Sequence, residues 1–499
     1  MKPLLASLPE ITDTIVVGGG TAGAVFAGLL AERGRDPVLL LEAGPDYGAC
    51  DSGYWPADML DARRLPRSHD WNYSSGTLFE DRVLEFPRAR VMGGCSSHNG
   101  CTAAIGASLD YDNWVTDGNP GWGAADLAPL FELIRSRFRV RTYGLDELTP
   151  VQAAFVTAGE LCGMPLAFDL DTYQAGVGIG PMSANIVQGV RWNAAFAFLD
   201  PVRDNRNLQV AGNVLVDRVL VERGRAKALR VVRDGGVSTI RAERIVLCAG
   251  AFGSPSILLR SGIGAADASA RLGVNVVCDL PGVGKNLLDH PCVRLDFSGT
   301  EEFAASMQQQ KWSPDEQTVG RAKSPYCDAG PYDIHVFLSA GVGLPAGTPP
   351  ISLYGGAMLA ISQGVLRLTD TNPSTLASID PRYGSDPDGR DLKVLAYARD
   401  LLRKMTEVPE LARLLDAEIP NSYELRDNLV SYCHPAGTCK MGPATDASAV
   451  VDASCRVHGI EGLYVADASI IPSNVRGNIN LPTAVIAARV MQKLTGYTT

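Results

Sequence analysis

Glycines at 18, 20 and 23 stand after the β-branched run Thr14-Ile-Val-Val17 and before Ala24 to Arg33, a stretch of helical composition. This spacing suits a dinucleotide. Gly18 allows a tight turn, Gly20 lets the backbone approach a pyrophosphate, and Gly23 permits close packing of helix on strand. Glu42 follows 19 positions beyond Gly23, at the end of the apolar run Val38-Leu-Leu-Leu41. A carboxylate placed there can accept from ribose hydroxyls. Proton chemistry would fall to the six histidines, at 69, 98, 290, 335, 434 and 458. His434, before Pro435 and Gly437, has by itself only the setting of a turn or core histidine. The eleven cysteines are odd in number and include no CxxC pair, so neither a disulfide framework nor a zinc site is expected, and no metal site is assigned.

The elements that must position these residues begin with a βαβ unit of about 30 residues, which implies a parallel sheet with its crevice at the strand ends. Two more strand-like runs, Arg244 to Gly250 and Leu463 to Asp467, lie far along the chain, and a helix is expected from Pro482 to Leu494. The nucleotide domain is therefore expected to be discontinuous, over 1–150, 191–299 and 431–499. Residues 151–190 and 300–430 differ in texture, with short alternating runs such as Tyr332-Asp-Ile-His-Val-Phe-Leu338. They are assigned to an inserted substrate domain, an antiparallel β-sheet with covering helices. The fold class is α/β, Rossmann-like, with that insertion.

The 499 residues are 46% hydrophobic and 20% charged, which excludes disorder as the main state. A net charge of -10 argues against a nucleic-acid partner. The first apolar stretch is too short for a signal peptide, and charge or glycine interrupts every later one before about 18 residues. No membrane partner is expected, and a cytoplasmic location is.

Further residues carry a family resemblance. Arg88-Ala-Arg-Val-Met-Gly-Gly-Cys-Ser-Ser-His-Asn99 and Gly250-Ala-Phe-Gly-Ser-Pro-Ser-Ile-Leu-Leu-Arg-Ser-Gly-Ile-Gly264 resemble the two signatures of the glucose–methanol–choline (GMC) oxidoreductases. Asp70-Trp-Asn-Tyr73, Pro281 to Pro291, Cys433-His-Pro-Ala-Gly-Thr438, Gly462 to Ser469 and Gly477 to Thr483 complete the set in family order. The resemblance implies FAD as cofactor and oxidation of a primary alcohol to the aldehyde, by hydride transfer to flavin N5. Oxygen would serve as acceptor, giving hydrogen peroxide. A dehydrogenase using another acceptor, or a non-redox hydroxynitrile lyase of the same fold, is the alternative. Around His98 the chain is similar to the choline oxidases, which implies a covalent histidyl–FAD bond at that residue, with Gly94 and Asn99 beside the flavin. Asp467 and Ala468 match the segment that places backbone groups near the ribityl chain and pyrophosphate. His434 and Asn478 match the catalytic pair, and His335 is given a weaker match to a substrate-facing histidine. His290, in Asp289-His290-Pro291, is assigned a structural part. Counted without gaps, the acidic residue that holds the ammonium in choline oxidases falls on Ser306, with Glu301 and Glu302 nearby, and Gly100 replaces a serine. The expected partners are a small alcohol and an electron acceptor, with a homodimer entertained as the assembly.

Overall fold

The computed structural model describes residues 8–34, 36–76, 82–310, 312–340, 350–419 and 424–497. Short apolar runs buried on both faces make the parallel part of the first sheet. Ile11–Val17 lies between Val38–Leu41 and the second half of Gly236–Leu247, parallel to both. Leu208–Ala211 extends the sheet beside Val38–Leu41, and Leu463–Val465 extends it beside Gly236–Leu247. The first half of Gly236–Leu247 turns into an antiparallel meander with Arg225–Arg233 and Leu215–Glu222. The helix Thr21–Glu32, buried along nearly all its length, packs against the helix Asn480–Thr495. The Gly250–Arg260 helix lies on the meander.

The second sheet is antiparallel, in the order Leu415–Ile419, Pro291–Gly299, Ile351–Ala357, Ile334–Ser339, Thr318–Ala322 and Gly178–Pro181. Leu429–Ser431 pairs with the start of Pro291–Gly299. Helices Pro150–Leu161 and Arg390–Thr406 pack against this sheet. Two of its strands start before the divisions drawn from sequence: Pro291–Gly299 precedes residue 300, and Leu429–Ser431 straddles residue 431. The second sheet thus takes up the chain from near residue 290. No turn or change of composition marks that point, because the Asp289-His290-Pro291 motif runs straight into the strand. Among the described residues no helix is long and apolar enough to cross a membrane.

Candidate active site

Four of the five parallel strands end at one cavity of about 1170 Å³, lined by Gly18, Glu42, Cys248 to Gly250, and Asp467 with Ala468. The turn before the first helix is built without room for side chains. A Cβ on Gly23 would lie 1.8 Å from the Gly18 carbonyl oxygen, and one on Gly94, at φ 53°, would lie 2.5 Å from Gly20 Cα. The backbones of the Gly94 turn and the dinucleotide turn therefore touch. Glu42 accepts from Gly19 N and Gly44 N, both at 2.8 Å, and burial pushes its carboxyl up to about 7. The helices starting at Thr21 and Asn480 bring their N-termini side by side, with Thr21 Oγ1 donating to Asn480 Oδ1 at 2.9 Å. Partial positive charge from both helix ends thus gathers where a pyrophosphate would lie. Asp467 is spent internally: its carboxylate accepts from Gly250 N, Ser254 Oγ and Ser469 N. Only its backbone and that of Ala468 are left for a ligand.

His98 and Asn99 follow the one-turn helix Gly94–Ser97 on the cavity wall. The Nε2 of His98 is buried with no protein partner, and burial lowers its pKa to about 4, so the imidazole is neutral. Asn99 is held by its own backbone, whose carbonyl accepts from Arg191 Nε at 2.7 Å.

His434 and Asn478 arrive from different elements and line the same cavity. Asp289 organises the loop bearing His434. Its carboxylate accepts from His434 N at 2.9 Å, His290 N at 2.8 Å, Ser431 Oγ at 2.5 Å and the Tyr383 hydroxyl. Arg88 adds a bond from Nη2 to the Cys433 carbonyl at 2.8 Å, tying the first signature to this loop. His434 Nδ1 sits 3.0 Å from His290 Nδ1, so one of the two rings donates and the other accepts. Burial, reinforced by the neighbouring histidines and Arg88, holds His434 well below the ordinary imidazole range, and burial brings His290 to about 4. His290 is thus in direct contact with His434, closer than the structural part assigned from sequence. The Oδ1 of Asn478 is buried without a protein partner.

The second sheet supplies the opposite wall through alternate residues, as the period of a strand requires: Cys292 and Arg294, Phe337 and Ser339, Ser352 and Tyr354. Phe337 and Tyr354 face each other across paired strands with rings stacked at 4.6 Å, and Tyr432 stacks on the other side of Phe337 at 4.9 Å. His335 lies on the same strand but outside the cavity lining. Tyr432 covers it, in space that Gly356 leaves open: a Cβ there would lie 3.1 Å from the Tyr432 ring. His335 instead stacks on Tyr332, with neither ring nitrogen bonded.

Beside this wall the cavity is also lined by Asp315 and Glu316, both pushed above the usual carboxylate range by burial, Glu316 also by the charge of Asp315. The gap-free count falls instead on Ser306, within the helix Glu301–Gln308. Glu301 and Glu302 are exposed on that helix, and Glu302 pairs with Arg413 at 2.6 Å. Adjacent acids in a chain carry no signal of their own. The aromatic wall did leave one, in the alternation of residues 332–338.

The pyrophosphate cradle, Glu42 and the unpartnered His98 Nε2 fit an FAD. The comparisons agree with that fit. The GMC oxidoreductase N-terminal model matches residues 12–292 and its C-terminal model residues 360–487. The mitochondrial choline dehydrogenase of Homo sapiens is 34% identical over 534 residues, covering 97% of this chain and 89% of that protein. An oxygen-dependent choline dehydrogenase of Burkholderia multivorans is 32% identical over 537 residues, covering 97% and 93%. Among solved structures, pyridoxine 4-oxidase from Mesorbium loti superposes with a TM-score of 0.84 at 28% identity, over 98% of this chain and all of that one. A formate oxidase of Aspergillus oryzae, at 21% identity and TM-score 0.85, over 98% of this chain and 99% of that one, shares the fold.

Proposed function

The chain belongs to the GMC oxidoreductases, FAD-dependent enzymes acting on CH–OH groups, and from that premise we propose that it oxidises a small primary alcohol to the aldehyde with dioxygen as acceptor. The observation that carries this reading is the convergence on one cavity of the dinucleotide turn, His98, His434 and Asn478. Bound FAD would supply the two-electron acceptor that takes a hydride from the alcohol carbon and passes the electrons to oxygen, yielding hydrogen peroxide. The cradle Gly18, Gly20, Gly23, Glu42 and Gly94 would hold it, with Asn99 and the backbone of Asp467 and Ala468 alongside. His98 Nε2, neutral and unpartnered, would form the covalent link.

The proton chemistry falls to this chain. With His434 donating from Nδ1 to His290 Nδ1, its Nε2 is left unprotonated for the cavity and takes the hydroxyl proton. The charge so formed on His434 strengthens its bond to His290, which lies beside the Asp289 carboxylate. Asn478 donates from its carboxamide to the same alcohol oxygen as negative charge develops there. The rest of the substrate meets Asp315, Glu316 and the Phe337–Tyr354–Tyr432 stack, a wall suited to an ammonium that begins beside His434. Together with the choline dehydrogenase relatives, that wall makes a cationic amino alcohol the preferred substrate, with choline as its reference member.

Anaerobic titration of the purified holoenzyme with choline, ethanolamine, pyridoxine, a neutral polyol and an aryl carbinol tests this. Bleaching by an amino alcohol, followed by peroxide formation in air, is expected. Bleaching without peroxide would assign another acceptor, and a flavin that no alcohol bleaches would overturn the redox reading in favour of a lyase.

A further inference from the structure

The carboxamide oxygen of Asn478 has no bond to protein. The backbone that carries Asn478 must therefore aim it, and that backbone is anchored two residues earlier. Arg476 is 2% exposed, and each nitrogen of its guanidinium is used: Nε donates to the Tyr332 carbonyl at 2.9 Å, Nη2 to the Ala329 carbonyl at 2.8 Å, and Nη1 to Asp110 Oδ1. Its own N–H donates to Asp110 Oδ2 at 2.8 Å, and its carbonyl accepts from the Tyr332 hydroxyl at 2.9 Å. Asp110 also accepts from Ala107 N at 3.0 Å at the start of the helix Ser108–Thr116. Gly330 leaves room for this side chain, since a Cβ there would lie 2.4 Å from Nη2. Main chain and side chain of one residue thus clamp three segments: the helix start at 107–110, the 329–332 turn leading into the second sheet, and the segment before Asn478.

We propose that Arg476 is a positioning residue, whose buried bonds to Asp110 and Tyr332 hold the Asn478 carboxamide at the alcohol oxygen. This rests on the assignment of Asn478 above. Planar, directed bonding to several oxygens is a property of guanidinium that ammonium lacks. Arg476→Lys keeps the charge and frees the segment to shift, and a displacement of about 1 Å at a reacting centre costs on the order of 100-fold.

A double-mutant cycle on the holoenzyme tests it, using anaerobic flavin reduction by whichever panel alcohol bleaches the flavin. Arg476→Lys is expected to slow the reduction step about 10- to 100-fold in the wild-type background, with less change in the concentration giving half-maximal rate. In the Asn478→Ala background the same change should have less than about a twofold effect, although it lowers the melting temperature in both. An equal loss of rate in both backgrounds, or none in the first, would overturn the proposal. Unchanged reduction in Asn478→Ala alone would instead overturn the assignment of Asn478. If Arg476→Lys does not fold, Tyr332→Phe removes only the bond to the Arg476 carbonyl, and the same non-additivity is required of it.

Discussion

The ring of His98 is neutral and its Nε2 is bound to no protein acceptor or donor, so the tautomer protonated at Nδ1 leaves a lone pair on that atom. In the proposed link that atom forms the bond and the Cys95 carbonyl, accepting from His98 N at 3.1 Å, fixes the backbone behind it. Acid-precipitated wild-type protein should therefore remain yellow, whereas His98→Asn should release its FAD into the supernatant. A colourless wild-type pellet would refute the link. The histidine itself was legible, because its neighbours form a contiguous signature and the residue type is unusual there. The contact between His434 and His290 was not, since the two residues lie 144 positions apart and only the fold brings them together.

Among the elements, the strand pair Ile334–Ser339 and Ile351–Ala357 sets the shape of the substrate wall. Its glycine at 356 makes room for Tyr432, which lines the cavity where His335 does not. Gly356→Ala would drive a methyl group into the Tyr432 ring edge and Met358 Cε. The expected cost is about 1–3 kcal/mol in denaturant unfolding, together with slower flavin reduction as Tyr432 leaves its stack on Phe337. Unchanged values of both would show that the ring moves freely. Alternation along 332–338 indicated a strand and put His335 and Phe337 on one face. It could not reveal that a tyrosine from another segment covers one of them. The βαβ unit was fully readable because glycine, helix and acid must occur in fixed order. The start of the second sheet at Pro291 was hidden, since a strand continuing directly from a motif needs no turn residue.

At the scale of the whole molecule, three imidazoles lie close together, His290 and His335 buried and His434 at the cavity wall, each with its pKa depressed by burial. Once unfolded they regain ordinary imidazole behaviour, so below about pH 6.5 the unfolded chain binds more protons than the folded one. Stability should then fall as the pH is lowered from 6.5 towards 5 and stay level in these groups above it. His335→Phe, which keeps the stack on Tyr332, should reduce that slope by about 1.4 kcal/mol per pH unit. Melting curves at half-unit intervals would measure this, and an unchanged slope would show that His335 is protonated in the native state. That the parallel sheet gathers strands from distant parts of the chain was foreseeable from recurrent strand-like runs ending in glycine or acid. The placement of Asp315 and Glu316 at the cavity was not, because burial at a cavity depends on long-range packing.

The parallel sheet takes its Leu463–Val465 strand from late in the chain, and the first helix rests on Asn480–Thr495. On the ribosome, then, the dinucleotide turn emerges well before the strand and helix that complete its surroundings. Flavin loading must accordingly wait for both, and a nascent chain stalled before residue 460 would hold the first glycines and no place to put the coenzyme.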